Sequence, residues 1–93
     1  MNYIQEIQTE LSKHIKVSKR LLSYYSLLVV TLGEETTLAD IHDAWAVDKN
    51  ISMSHHRSIV LFEKLSPEVQ ELDREYMEAV RLTAKNLKKR GVL

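Results

Sequence analysis

The sequence predicts an all-α fold of about four helices, with a short extended, hairpin-like loop between the third and the fourth. Three observations carry that reading. Apolar residues recur at three- and four-residue steps through most of the 93 residues. Helix-start signatures stand at Thr37 and Ser66. The only two glycines, Gly33 and Gly91, fall where long helical patterns end, the usual place for a left-handed C-terminal cap.

Tyr3, Ile4, Ile7, Leu11 and Ile15 share one helical face and give an amphipathic first helix over residues 2–15. From Lys19 to Leu32 hardly any polar face is left, so the second helix must be central to the fold. Thr37-Leu-Ala-Asp40 has capping-box form and opens a third helix to about Asp48, with Leu38, Ile41, His42 and Trp45 on one side. Lys49 to Ser58 lacks helical periodicity, and Ile59-Val-Leu-Phe62 reads as a short extended or strand-like run. Ser66-Pro67-Glu68 then starts a last helix, whose apolar positions Val69, Leu72, Tyr76, Val80, Thr83 and Leu87 continue almost to Gly91. With no repeat, linker or low-complexity stretch, residues 1–93 form one domain.

Composition excludes several classes of function. There is no cysteine, hence neither a disulfide framework nor a thiolate metal site. The stretch Leu21 to Leu32 falls well short of the roughly 20 apolar residues a membrane span needs, so no membrane partner is expected. Glu6 and Glu10 stand where a signal peptide would be basic and then apolar, and the chain reads as cytoplasmic. Its formal charge is zero, so an electrostatic partner must be met by a local patch. Acids gather at residues 34–48 and 68–78, whereas Arg81, Lys85, Lys88, Lys89 and Arg90 form a basic block. That block complements the helix dipole and has few aromatic residues to stack bases, so nucleic acid is not the expected partner.

Enzymatic signatures are absent: there is no phosphate-binding glycine loop, nucleophile elbow or His-Glu-x-x-His pair, and we expect a non-catalytic protein without cofactor or metal. Two constellations remain. His42 and Trp45 are neighbours on one helical face, serving either as a buried anchor with His42 on a backbone carbonyl, or as a stacking platform for a planar ligand. His55-His56-Arg57, in the irregular stretch, is either a solvated loop tip or a phosphate clamp built on the guanidinium fork.

Ile41-His42-x-x-Trp45, then His56, Ile59-Val60-x-Phe62-x-x-Leu65, Pro67-Glu68 and Asp73-Arg74 resemble the ryanodine-receptor repeat (RyR) domain, especially short single-repeat relatives of phages and prokaryotes. The resemblance covers residues 37–84 and leaves residues 1–33 outside as an N-terminal helical pair. It implies helices flanking a short hairpin-like loop, with a pocket beside the His-x-x-Trp helix. That pocket would bind a nucleotide-derived immune signal, such as an ADP-ribose derivative or cyclic nucleotide, and so blunt host defence. Trp45 would stack on the base, with His42 beside it and His56, Arg57 and Lys49 taking the phosphates. Asp73 and Arg74 would form a structural pair or cap. Because the receptor repeats work in pairs, the resemblance implies a homodimer, which would also cover the apolar excess of the second helix. The alternative function is a protein-interaction module that uses the acidic faces to inhibit a host defence protein such as a nuclease.

Overall fold

The first four N–H groups of a helix need partners outside it, and side chains supply them at each helix start but one. In the computed structural model, which describes residues 1–93, Asn2 accepts from the Gln5 amide at 2.9 Å and the Gln5 side chain returns the bond at 3.0 Å, opening α1, Tyr3–Leu11. Ser18 caps α2, Lys19–Thr31, and Thr37 with Asp40 forms the expected capping box of α3, Leu38–Ser52. Ser66 caps the short α4, Pro67–Glu71, with Pro67 in its first turn. Asp73 precedes α5, Arg74–Lys89, without capping it.

Gly33 (φ 56°) turns the chain out of α2, and Gly91 (φ 76°) ends α5 in a turn closed by the Val92 amide on the Leu87 carbonyl at 2.9 Å. Both are the left-handed positions expected of them. The chain is all-α, with four helices of nine residues or more and no strand.

Met77, Val80, Ala84 and Leu87 form a buried stripe along α5 at helical spacing. Ile7 and Leu11 of α1, Tyr25 and Val29 of α2 and Ile41 of α3 complete the core around it. Residues 1–33 therefore share one core with the rest of the chain.

Several elements differ from the sequence expectation. α1 stops at Leu11, and turns carry the chain on to Ile15, which is buried nonetheless. α3 runs past Asp48 to Ser52, because Lys49 accepts the Met53 amide at 2.7 Å and closes another turn. Ile59–Phe62 is not a strand. It has no neighbouring strand to complete a ladder, and side chains take its carbonyls: His42 binds that of Val60, and Gln70 binds that of Phe62. The last helix breaks at Leu72 and Asp73, whose amides bond three residues back instead of four. α2 packs against α1, α3 and α5, but Leu27 and Val30 on its remaining face are exposed.

Polar anchors join the helices where apolar contact is thin. Arg81 of the basic block donates through Nε to the Thr36 carbonyl at 2.7 Å, tying α5 to the turn between α2 and α3. Arg20 of α2 pairs with the buried Asp48 of α3. The largest cluster surrounds Glu10, which is 6% exposed. Its carboxylate accepts from His14 at 3.0 Å, Asn86 at 3.2 Å and Lys13 at 3.3 Å, with Arg90 at 3.7 Å. The bonds from His14, then Asn86, then Lys13 outweigh burial and hold this carboxyl at about 2.

A carboxyl depressed in the folded state stabilises the fold above its unfolded value, near 4.5, and loses that contribution as pH falls towards about 2. Glu10→Gln should therefore lower the melting temperature at pH 7 by the equivalent of about 2 kcal/mol, since buried bonds to a charged group are being weakened. The difference from the unaltered protein should shrink between pH 4.5 and 2, read by thermal unfolding across that range.

Candidate functional site

Four stretches distant in sequence converge on one cleft of about 470 Å³, within the roughly 300–1,000 Å³ of small-molecule sites. α2 contributes Leu21 and Tyr25, and α3 contributes His42 and Trp45. The loop after α3 supplies His56 and Ser58. The α4–α5 junction supplies Val69, Leu72, Asp73 and Tyr76.

Helical spacing sets His42 beside Trp45, with ring centroids 5.7 Å apart and planes at 28°. His42 is buried, and its Nε2 lies 2.7 Å from the Val60 carbonyl. A carbonyl only accepts, so Nε2 carries the proton and donates. His42 thereby pins the loop after α3 and also packs against Phe62, 6.1 Å away. His56 presents the opposite arrangement: its Nδ1 accepts the Ser58 amide at 3.0 Å, and its ring meets Trp45 edge-on at 5.1 Å and 83°. Trp45, half-buried, is thus flanked by two imidazoles, one stacked with its ring and one perpendicular to it.

Tyr25 and Tyr76 form a second aromatic pair, 5.8 Å apart and tilted by 35°. The Tyr25 side chain is 1% exposed, yet its hydroxyl has no hydrogen-bond partner in the protein and is not sealed from the cleft. Burial, and next the charge of nearby Asp73, push this hydroxyl well above its ordinary range, so it remains a neutral donor.

Asp73 stands where a capping residue belongs, but its carboxylate neither caps α5 nor pairs with a base. Arg74 turns away to Glu71, at 2.7 and 3.1 Å, and holds that exposed carboxyl below its usual value. The expected Asp73–Arg74 pair or cap is therefore corrected. Asp73 faces the cleft, where burial raises its carboxyl and His42, when charged, partly opposes the shift.

The cleft brings together three of the five residues expected at a site, His42, Trp45 and His56, but not the two cations. Lys49 lies one turn beyond Trp45 and Arg57 is exposed; neither lines the cleft. In the sequence Tyr25 and Tyr76 simply fit the helix pattern, and Asp73 a structural pair or cap. Their signal there was faint: tyrosines at otherwise apolar helix positions, and an acid immediately before a long helix.

A family model described as a domain of unknown function, DUF7701, matches residues 2–85. No curated protein and no solved structure matches the chain. The resemblance to the ryanodine-receptor repeat is thereby corrected. The matched family is a different one, and its span includes α1 and α2, which that resemblance left outside. Phage origin and interference with host defence find no support in the matched family.

Replacing His42 with Phe keeps a ring beside Trp45 but removes the donor to Val60. The variant should lose about 1–2 kcal/mol of stability, and amide exchange should quicken across Ser58–Phe62, read by hydrogen–deuterium exchange.

Proposed function

The chain belongs to the DUF7701 family, and we propose that it is a non-catalytic binding protein for a planar, nucleotide-derived small molecule. The observation supporting this reading is the cleft itself. Trp45, His42, His56, Tyr25 and Tyr76 give it an aromatic lining suited to stacking a heterocycle, and two polar groups left without protein partners, the Tyr25 hydroxyl and the Asp73 carboxylate, await one. The base end of the ligand enters the cleft. Any phosphate stays outside, because the one charged side chain facing the interior is an acid.

A second reading, a protein-interaction surface, is favoured by a separate observation. Leu27 and Leu28 of α2, Ala44 and Val47 of α3, and Val60 and Leu61 beyond it line two adjoining shallow grooves that share Asp43 and Val47. Leu27, Val47 and Leu61 are 57%, 53% and 64% exposed. The homodimer expected from sequence would cover these side chains with a second copy of the chain, in a register that keeps Asp40 and Asp43 of the two copies apart.

Trp45 is the sole tryptophan, so its fluorescence reports the cleft directly. Titration with nucleosides and with ADP-ribose-type and cyclic nucleotides should change that fluorescence for at least one compound. Tyr76→Leu, which keeps the reporter, should weaken binding about tenfold or more, as expected from losing roughly 1–3 kcal/mol of stacking. No response across the panel from folded protein sinks the proposal. For the second reading, sedimentation equilibrium should give a dimer that Val47→Lys converts to monomer; a monomer at every concentration removes the homodimer.

A further inference from the structure

The pattern of bare hydrogen-bonding groups in the cleft says more about its ligand than the aromatic rings do. Asn2, Ser18, Thr37 and Ser66 all spend their side chains on the N–H groups of the helices they precede. Asp73, among the best residues for that task, does not. Its carboxylate accepts no hydrogen bond from the protein, and the residue, half-buried, lines a half-enclosed, aromatic-lined space. A carboxylate removed from water is costly unless N–H donors or a cation face it, and no lysine or arginine lines the cleft. A ligand that fills this half-enclosed space takes the place of solvent at the carboxylate and must bring N–H donors of its own. Tyr25 lines the same cleft, close enough for its hydroxyl to feel the Asp73 charge, and that hydroxyl too has no hydrogen-bond partner in the protein.

Resting on the binding function proposed above, the geometry points to guanine as the base: its N1–H and exocyclic amine donate side by side to the Asp73 carboxylate, while its O6 accepts from the Tyr25 hydroxyl. Adenine offers one exocyclic amine next to a bare ring nitrogen, which a carboxylate repels. Cytosine likewise pairs one amine with acceptors. Hypoxanthine keeps N1–H and O6 but lacks the amine. Guanine alone among these four presents one acceptor followed by two donors along a single edge. The ring stacks on the Trp45 side of the cleft, and the ribose and any phosphate lie at its mouth.

The test measures binding of guanosine, inosine, adenosine and xanthosine to the full chain by calorimetry and by Trp45 fluorescence. Guanosine should bind at least tenfold more tightly than inosine or adenosine, with GMP equal to guanosine. In Asp73→Asn the amide nitrogen becomes a donor where the guanine amine also donates. That variant should lose guanosine binding at least tenfold and prefer xanthosine, whose carbonyl at the same ring position accepts from the new donor. Asp73 makes no side-chain bond within the protein, so the variant should keep its fold, checked by circular dichroism. Loss of guanine preference in the unaltered protein, or no exchange of preference in Asp73→Asn, overturns the inference. If adenosine binds as well as guanosine, the binding function stands without its guanine specificity. If no nucleoside binds, both fail. GMP favoured more than tenfold over guanosine overturns the placement of phosphate outside the cleft.

Discussion

The apolar stripe along α5 is the constraint on which the rest of the fold depends. Met77, Val80, Ala84 and Leu87 face inward, and Ile7, Leu11, Tyr25, Val29 and Ile41 are buried because that stripe must be covered. In a chain of this size buried apolar area alone leaves a narrow margin. The loops between helices are accordingly held by individual bonds: Arg81 to the Thr36 carbonyl, His42 to that of Val60, and Gln70 to those of Phe62 and Leu65. Glu10 does the same between α1 and α5, at the opposite end of the stripe from the cleft.

The cleft follows from where the stripe runs out. Towards the start of α5 the inward positions become Tyr76 and Asp73, which are half-buried, and α4 lies across the end of the helix instead of extending it. Were the last helix continuous from Ser66, as its periodicity suggests, Asp73 would be an ordinary helical residue. The break at Leu72 makes Asp73 a junction residue with an αR backbone (φ −88°, ψ −5°), unlike the extended caps of the other helices. That conformation releases its carboxylate from capping and leaves it to the cavity.

What could be read from sequence divides along the same physical line. Local signals survived: the Thr37–Asp40 capping box, the Ser66-Pro67 start and the left-handed Gly33 and Gly91 all depend on a few neighbouring residues. The placing of His42 and Trp45 on one face followed from helical spacing alone. Long-range choices were illegible. Ile59–Phe62 has strand composition, but whether it pairs depends on a neighbouring strand that the fold does not supply. Tyr25 and Tyr76 fit an apolar helical pattern equally well in a sealed core and at a cavity wall. Only packing shows that the hydroxyl of the most deeply buried tyrosine is unpartnered.

The charges show how far three-dimensional placement alters a chemical argument. Two histidines next to an arginine suggest an anion site, and in sequence nothing nearby contradicts it. In the folded chain His55 is exposed and His56 is already committed as an acceptor from Ser58, as His42 is as a donor to Val60. Arg57 lies in solvent, and the charge that reaches the interior is that of an acid over fifteen residues further along the chain. An anion placed in the cleft would meet Asp73 without a facing cation. A neutral ring with donors on its edge would satisfy Asp73 and gain the stacking surface of Trp45 as well. Selectivity in such a site comes from the hydrogen-bonding edge and not from charge attraction. This accords with a chain whose formal charge is zero and whose arginines, Arg57 excepted, are engaged with its own acids or carbonyls.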